Sequence, residues 1–123
     1  MAGNPVTWFE IYVQDMARAR AFYEAVLARR LEQLPSGDLE MWAFQAAMDQ
    51  YGSAGALVRM AGVPSGGNST LVYFECEDCA VEGARVEPAG GKLFRPKFPI
   101  GQFGFIVLAS DTEGNLFGLH SMK

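Results

Sequence analysis

The sequence predicts an α+β domain made of two tandem βαβββ modules, and three observations predict it. The chain repeats itself: "TWFEIYVQDMARARA" from Thr7 and "TLVYFECEDCAVEGA" from Thr70 share one hydrophobic pattern at an offset of 63 residues. At that offset Asp15 falls on Asp78, Ala17 on Ala80, Ala21 on Ala84 and Gly55 on Gly118. Within each copy a β-branched and aromatic run gives way to apolar residues three and four apart, and then to further apolar runs. Finally, 123 residues that are 50% hydrophobic and 20% charged suit a single hydrophobic core. One domain, 1–123, is therefore expected, with a first module over about 5–60, a linker over 61–69 and a second module over about 70–122.

The elements follow in order. "VTWFEIYV" reads as a strand ended by Asp15, whose carboxylate can accept a backbone N–H of the opening helical turn. Met16, Ala19, Phe22, Tyr23 and Val26 then recur at helical spacing, which predicts an amphipathic helix from Met16 to about Arg29. "QLPSGD" turns the chain into a strand around "LEMWAFQ", and "AGALVRM" is another. "AGVPSGGNS", residues 61–69, has linker composition. The second copy opens on "TLVYFE", continues in a shorter helix from Cys79 and stops near "EPAGG", where Pro88 and the glycines break it. "FGFIVLAS" and "NLFGLHS" are its later strands.

Composition excludes several functions. Ten Lys and Arg against fourteen Asp and Glu leave a formal charge of −4, so there is no basic surface to neutralise a phosphate backbone and no nucleic-acid partner is expected. The apolar runs fall well short of the roughly 20 residues of a membrane span, and "MAGNPVTWFE" lacks the charged start and apolar core of a signal peptide. A cytoplasmic protein with no membrane partner is the expectation. Cys76 and Cys79 form a C-x-x-C, but zinc would need about four ligands, and one distant histidine leaves the set short. A redox pair stands as one reading and two small core side chains as the other. The repeat favours the core, because Cys76 falls on Val13 and Cys79 on Met16.

Two motifs carry a family resemblance. Asp15, Ala19, Phe22 and Tyr23 form a D-x-x-x-A-x-x-F-Y segment, and Asp111, Gly114 and Asn115 form a D-x-x-G-N turn before the last strand. With the paired modules, these make the chain resemble the vicinal oxygen chelate superfamily, the group of glyoxalases, bleomycin resistance proteins and extradiol dioxygenases, over roughly residues 5–122. The resemblance implies a mixed sheet curled into a cup with the helices on its convex side, and a homodimer. Strand alternation then sorts side chains. Phe9, Ile11 and Val13 should pack beneath the first helix, leaving Trp8, Glu10 and Tyr12 toward the cup; Val72, Phe74 and Cys76 should pack beneath the second, leaving Leu71, Tyr73 and Glu75. On the last strand Phe117 and Leu119 belong to the helix side, and Leu116, Gly118 and His120 to the cavity.

Metal-using members of that superfamily hold a divalent ion with His, Gln or Glu from the first and last strands of each half. Trp8, Leu71, Gly55 and Gly118 stand there in this sequence, and none has a side-chain lone pair for a metal. The expectation is thus a protein without the usual metal site and without a cofactor, binding a small organic molecule, aromatic or apolar, against Trp8, Glu10, Tyr12, Trp42, Leu71, Tyr73, Glu75, Gly118 and His120. One alternative stays open. A slip of two residues on the last strand would recruit His120 with Glu10 and Glu75, a set chemically suited to one iron or manganese ion in a lyase, isomerase or dioxygenase. His120, Glu10 and Glu75 are also the candidates for acid–base work without a metal, against the plainer readings of a locally bonded strand-end histidine and solvated or dimer-contact carboxylates.

Overall fold

The computed structural model describes residues 3–47, 49–67, 69–112 and 115–123. Gly114 of the turn motif and the side chain of Val26 lie outside the described residues. Backbone contacts divide the chain into two compact units: Trp8–Thr70, and a second that joins the stretch ending at Thr7 to Leu71–Lys123.

The first module runs β1 (Val6–Tyr12), α1 (Met16–Leu27), β2 (Leu31–Leu34), β3 (Glu40–Phe44) and β4 (Ala54–Arg59). Its strands lie in the order β2-β3-β4-β1, with β1 parallel to β4 and the other pairs antiparallel. Asp15 caps α1 by accepting the Arg18 N–H at 3.0 Å. The helix ends two residues earlier than the periodicity suggests, because Ala28 turns into the left-handed region at φ 51° and donates its N–H to Glu24. Val13, Met16, Leu31 and Leu57 form the buried core, with Ile11, Ala19, Tyr23, Trp42 and Phe44 against it. Each fully buried aliphatic chain of this kind contributes about 1.5–3 kcal/mol. Phe22, assigned to the apolar stripe by spacing, is 58% exposed and only leans edge-on against Tyr23.

The second module runs β5 (Thr70–Glu75), α2 (Cys79–Val86), β6 (Lys92–Pro99), β7 (Phe105–Ser110) and β8 (Leu116–Ser121), with a 3-10 turn at Gly101–Phe103. Its order is β5-β8-β7-β6, β5 parallel to β8. The buried residues Cys76, Cys79, Val107 and Leu119 form its core. Cys76 and Cys79 thus occupy the places that Val13 and Met16 hold in the first module, as the repeat predicts. Both cysteines are free thiols. Asp78 caps α2 through the Ala80 N–H, and the fully buried Ser121 hydroxyl accepts the Cys79 N–H at 2.9 Å while donating to the Lys123 carbonyl. In the turn motif, Asp111 accepts the Asn115 N–H at 2.8 Å and the Asn115 side-chain amide at 3.1 Å.

Two strands carry no strand signal of their own. β2 has four residues, and β6 contains Pro96 and Pro99 and breaks register twice along β7. Each ends its module's strand order, where proline and irregular pairing are tolerated. The repeat also needs one correction in the last strands. Tyr73 pairs with Gly118 and Glu75 with His120, whereas Glu10 pairs with Ala56 and Tyr12 with Val58. The counterpart of Gly118 is therefore Ala56, and that of Leu119 is Leu57. Gly55 lies on the helix side, where a Cβ would run into the Phe9 ring. Among the described residues no helix is long and apolar enough to cross a membrane.

Candidate functional site

Each module leaves one sheet face uncovered by its helix, and the predicted site residues sort onto these faces by parity. In the first module Trp8, Glu10 and Tyr12 alternate along β1, two residues apart and on the same side. That spacing lets both neighbours reach the carboxylate between them. The Trp8 indole donates to Glu10 Oε2 at 3.1 Å, and the Tyr12 hydroxyl donates to Glu10 Oε1 at 2.7 Å. Glu10 is only 8% exposed, so these two donors take over hydrogen bonds that water would otherwise supply.

Trp42 belongs elsewhere, which corrects its assignment to the ligand face. It pairs with the core residue Leu57, packs on the α1 side, and donates its indole N–H to Glu40 at 3.2 Å. The Arg20 guanidinium, from α1, stacks 3.5 Å from its ring centroid. Parity places Trp42 correctly once β3 is registered against β4, but its own sequence gives no face.

In the second module Leu71, Tyr73 and Glu75 share the face of Leu116, Gly118 and His120. Tyr73 is 7% exposed, and its ring lies over Gly118. A Cβ built on Gly118 would fall well inside 3.0 Å of Tyr73 Cδ1 and Cε1, so the glycine is the seat of the tyrosine ring and not an open space. At the end of the face His120 Nδ1 meets Glu75 Oε1 at 2.9 Å, and Nε2 meets the Phe103 carbonyl at 2.6 Å. The Thr7 hydroxyl donates to the same Glu75 oxygen at 3.3 Å, and the Glu75 N–H donates to the Pro5 carbonyl at 2.9 Å. Thr7 and the Phe103 carbonyl are site groups that the sequence reading missed. Thr7 lies before the predicted face begins, and a backbone carbonyl in a turn has no residue-level signature.

One proton of this cluster can be placed. A carbonyl only accepts, so His120 Nε2 carries a hydrogen. The 2.9 Å contact to Glu75 then needs one proton between nitrogen and oxygen, carried by the ring or by the carboxyl group. Both ring nitrogens are engaged within the protein.

The C-x-x-C is built into the core of the second module and not set up as a reactive pair. Burial, followed by the charge of Glu82, pushes the Cys76 thiol up to about 11, the reverse of a reactive thiolate. Asp78 is held below the usual carboxylate range by the hydrogen bond from Lys97, at 2.8 Å. Among the described residues no three His, Cys, Asp or Glu side chains are grouped as a metal site requires. In the alternative donor set, His120 has both nitrogens in hydrogen bonds, Glu10 has both oxygens in them and Glu75 has one, so a metal would have to displace these bonds.

Comparison with known proteins agrees with this architecture. Residues 6–32 match the family model described as bleomycin resistance protein-like N-terminal. No curated protein sequence matches the chain closely enough to count as a relative. Methylmalonyl-CoA epimerase from Mycobacterium tuberculosis superimposes with TM-score 0.69 at 14% identity, over 97% of this chain and 88% of that one. A variant of the Streptomyces coelicolor methylmalonyl-CoA epimerase, in complex with 2-nitronate-propionyl-CoA, gives 0.67 at 13% identity over 95% and 96%. A mutant 4-hydroxymandelate synthase from Streptomyces coelicolor gives 0.73 at 15% identity over 99% of this chain and 39% of its own length. The chain therefore has the two-module fold of the vicinal oxygen chelate superfamily, with a bleomycin resistance protein-like first strand and helix.

Proposed function

We propose that this protein binds a small organic molecule on the polar and aromatic sheet face of a module, without the divalent metal of metal-using members of the superfamily it resembles. The observation that carries the reading is the Tyr73 ring seated over Gly118: a side chain occupies the place where a ligand atom would be needed. The engaged nitrogens of His120 and oxygens of Glu10 support it, since a metal would have to displace hydrogen bonds of 2.6–3.1 Å. Each face by itself has what an organic ligand needs, aromatic surface from Trp8 and Tyr12 in the first module or from Tyr73 in the second, beside a fixed carboxylate. That a structural neighbour is in complex with 2-nitronate-propionyl-CoA supports small-molecule binding by analogy. The resemblance extends the proposal to a cytoplasmic homodimer, which light scattering on the eluted peak checks for oligomeric state.

The test uses a Trp42→Phe variant, which leaves Trp8 as the sole indole. Titration with a panel of aromatic and apolar compounds should change Trp8 emission saturably for at least one chemical series, with chelator present throughout. Binding that appears only when a divalent ion is added would overturn the metal-free reading, and no response from any compound would overturn the binding reading.

A further inference from the structure

Among the described residues, Glu75 uses one of its two carboxylate oxygens. Oε1 meets both Thr7 Oγ1 and His120 Nδ1, while Oε2 has no protein donor among the described residues and the side chain is 37% exposed. His120 cannot itself serve a ligand in this arrangement, because its ring nitrogens are committed to Glu75 and to the Phe103 carbonyl. What the histidine does is fix the carboxylate. A hydrogen bond from β8 and another from Thr7 converge on Oε1, so the rotamer of Glu75 is set before any ligand arrives, and less ordering is left to binding. The rest of the face is aliphatic and aromatic: Leu71 and Tyr73 are buried on the same strand, and Leu116 lies on β8.

From this geometry we infer that Glu75 Oε2 is the hydrogen-bond acceptor for a bound molecule's N–H group, with His120 and Thr7 as positioning residues. The ligand class is an organic amine or ammonium carried on an apolar body; an organic anion of the same shape is rejected, since its lone pairs would face those of Oε2. The inference rests on the small-molecule reading above and adds the chemistry of the ligand.

His120 is the only histidine, so its ring resonances in a long-range ¹H–¹⁵N spectrum report this cluster alone. The probes are benzylammonium and benzoate, which share a body and differ in charge and in donor capacity. Benzylammonium should shift the His120 ring signals saturably, and benzoate should not. Glu75→Gln places an amide N–H₂ where Oε2 stands, so affinity for benzylammonium should fall at least tenfold while benzoate gains. Thr7→Val should weaken benzylammonium several-fold, and Thr7→Ser, which keeps the hydroxyl, should restore it with the backbone amide spectrum unchanged. Equal shifts from benzoate, or unchanged affinity in Glu75→Gln, would overturn the assignment. Ligand effects on Trp8 without effects on His120 would overturn it while sparing the small-molecule reading, and no perturbation of any resonance would overturn both.

Discussion

Gly118→Ala puts the packing of the second module's sheet face opposite its helix to a quantitative test. The added Cβ would lie well inside 3.0 Å of two Tyr73 ring carbons, and Tyr73 is 7% exposed, so the ring has little solvent to swing into. Overpacking of this kind costs about 1–3 kcal/mol. Replacing glycine lowers the entropy of the unfolded chain and returns about 0.4–1 kcal/mol. The net loss is then about 1–2 kcal/mol. At about 2.1 cal/mol/K of unfolding entropy per residue, a chain of 123 residues loses roughly 4 °C of Tm per kcal/mol, which predicts a fall of about 4–8 °C. Calorimetry and urea unfolding followed by circular dichroism measure it. In a Tyr73→Ala background the same substitution should be neutral or stabilising, because the clash is gone. A Gly118→Ala protein as stable as the wild type, or an unchanged penalty in the Tyr73→Ala background, would refute the account of why residue 118 is glycine.

Other expectations follow from the caps and from the shifted groups. Ser121→Ala leaves the buried Cys79 N–H without its acceptor and should cost about 1–3 kcal/mol, read from urea unfolding. Asp78, held low by Lys97, favours the folded state while ionised; that contribution is present above about pH 4 and is lost as the pH falls through its lowered value. Asp78→Asn, which keeps a capping oxygen, should therefore flatten the acid limb of a stability–pH profile. Cys76 is raised from 9.0 to about 11, so its contribution is complete below pH 9 and is lost as the pH rises through 11. At pH 8 its reaction with Ellman's reagent should be no faster than unfolding exposes it. Ala28→Gly relieves a left-handed Cβ at the α1 C-cap and should raise stability by about 0.5 kcal/mol, the steric gain less the entropy of glycine.

Much of the fold is legible in the residues because it is written in local chemistry. Asp15 and Asp78 cap helices at equivalent places, and alternation along β1 and β5 separates the helix-facing set from Trp8, Glu10, Tyr12, Leu71, Tyr73 and Glu75. The cysteines are core residues because Val13 and Met16 are. What was not legible depends on pairing across distance. The single-residue change of offset between β4 and β8, which exchanges Gly55 for Ala56, is set by strand register and leaves no mark in a sequence comparison of apolar runs. Trp42 has the composition of a ligand platform, yet its face follows from its pairing with Leu57. The partners of His120 were hidden for the same reason: Phe103 contributes a backbone carbonyl, and Thr7 reaches Glu75 from 68 residues away in sequence.

The central proposal, a ligand-binding protein of this fold that works without a metal, is tested most directly by metal analysis of the native protein. Protein purified without an affinity tag or chelator is exposed separately to Fe²⁺, Mn²⁺, Ni²⁺ and Zn²⁺, exhaustively dialysed, and assayed for bound metal alongside His120→Ala. The account predicts far less than one ion per chain for every metal and no difference between the two proteins. One tightly held ion per chain that disappears in His120→Ala would contradict it.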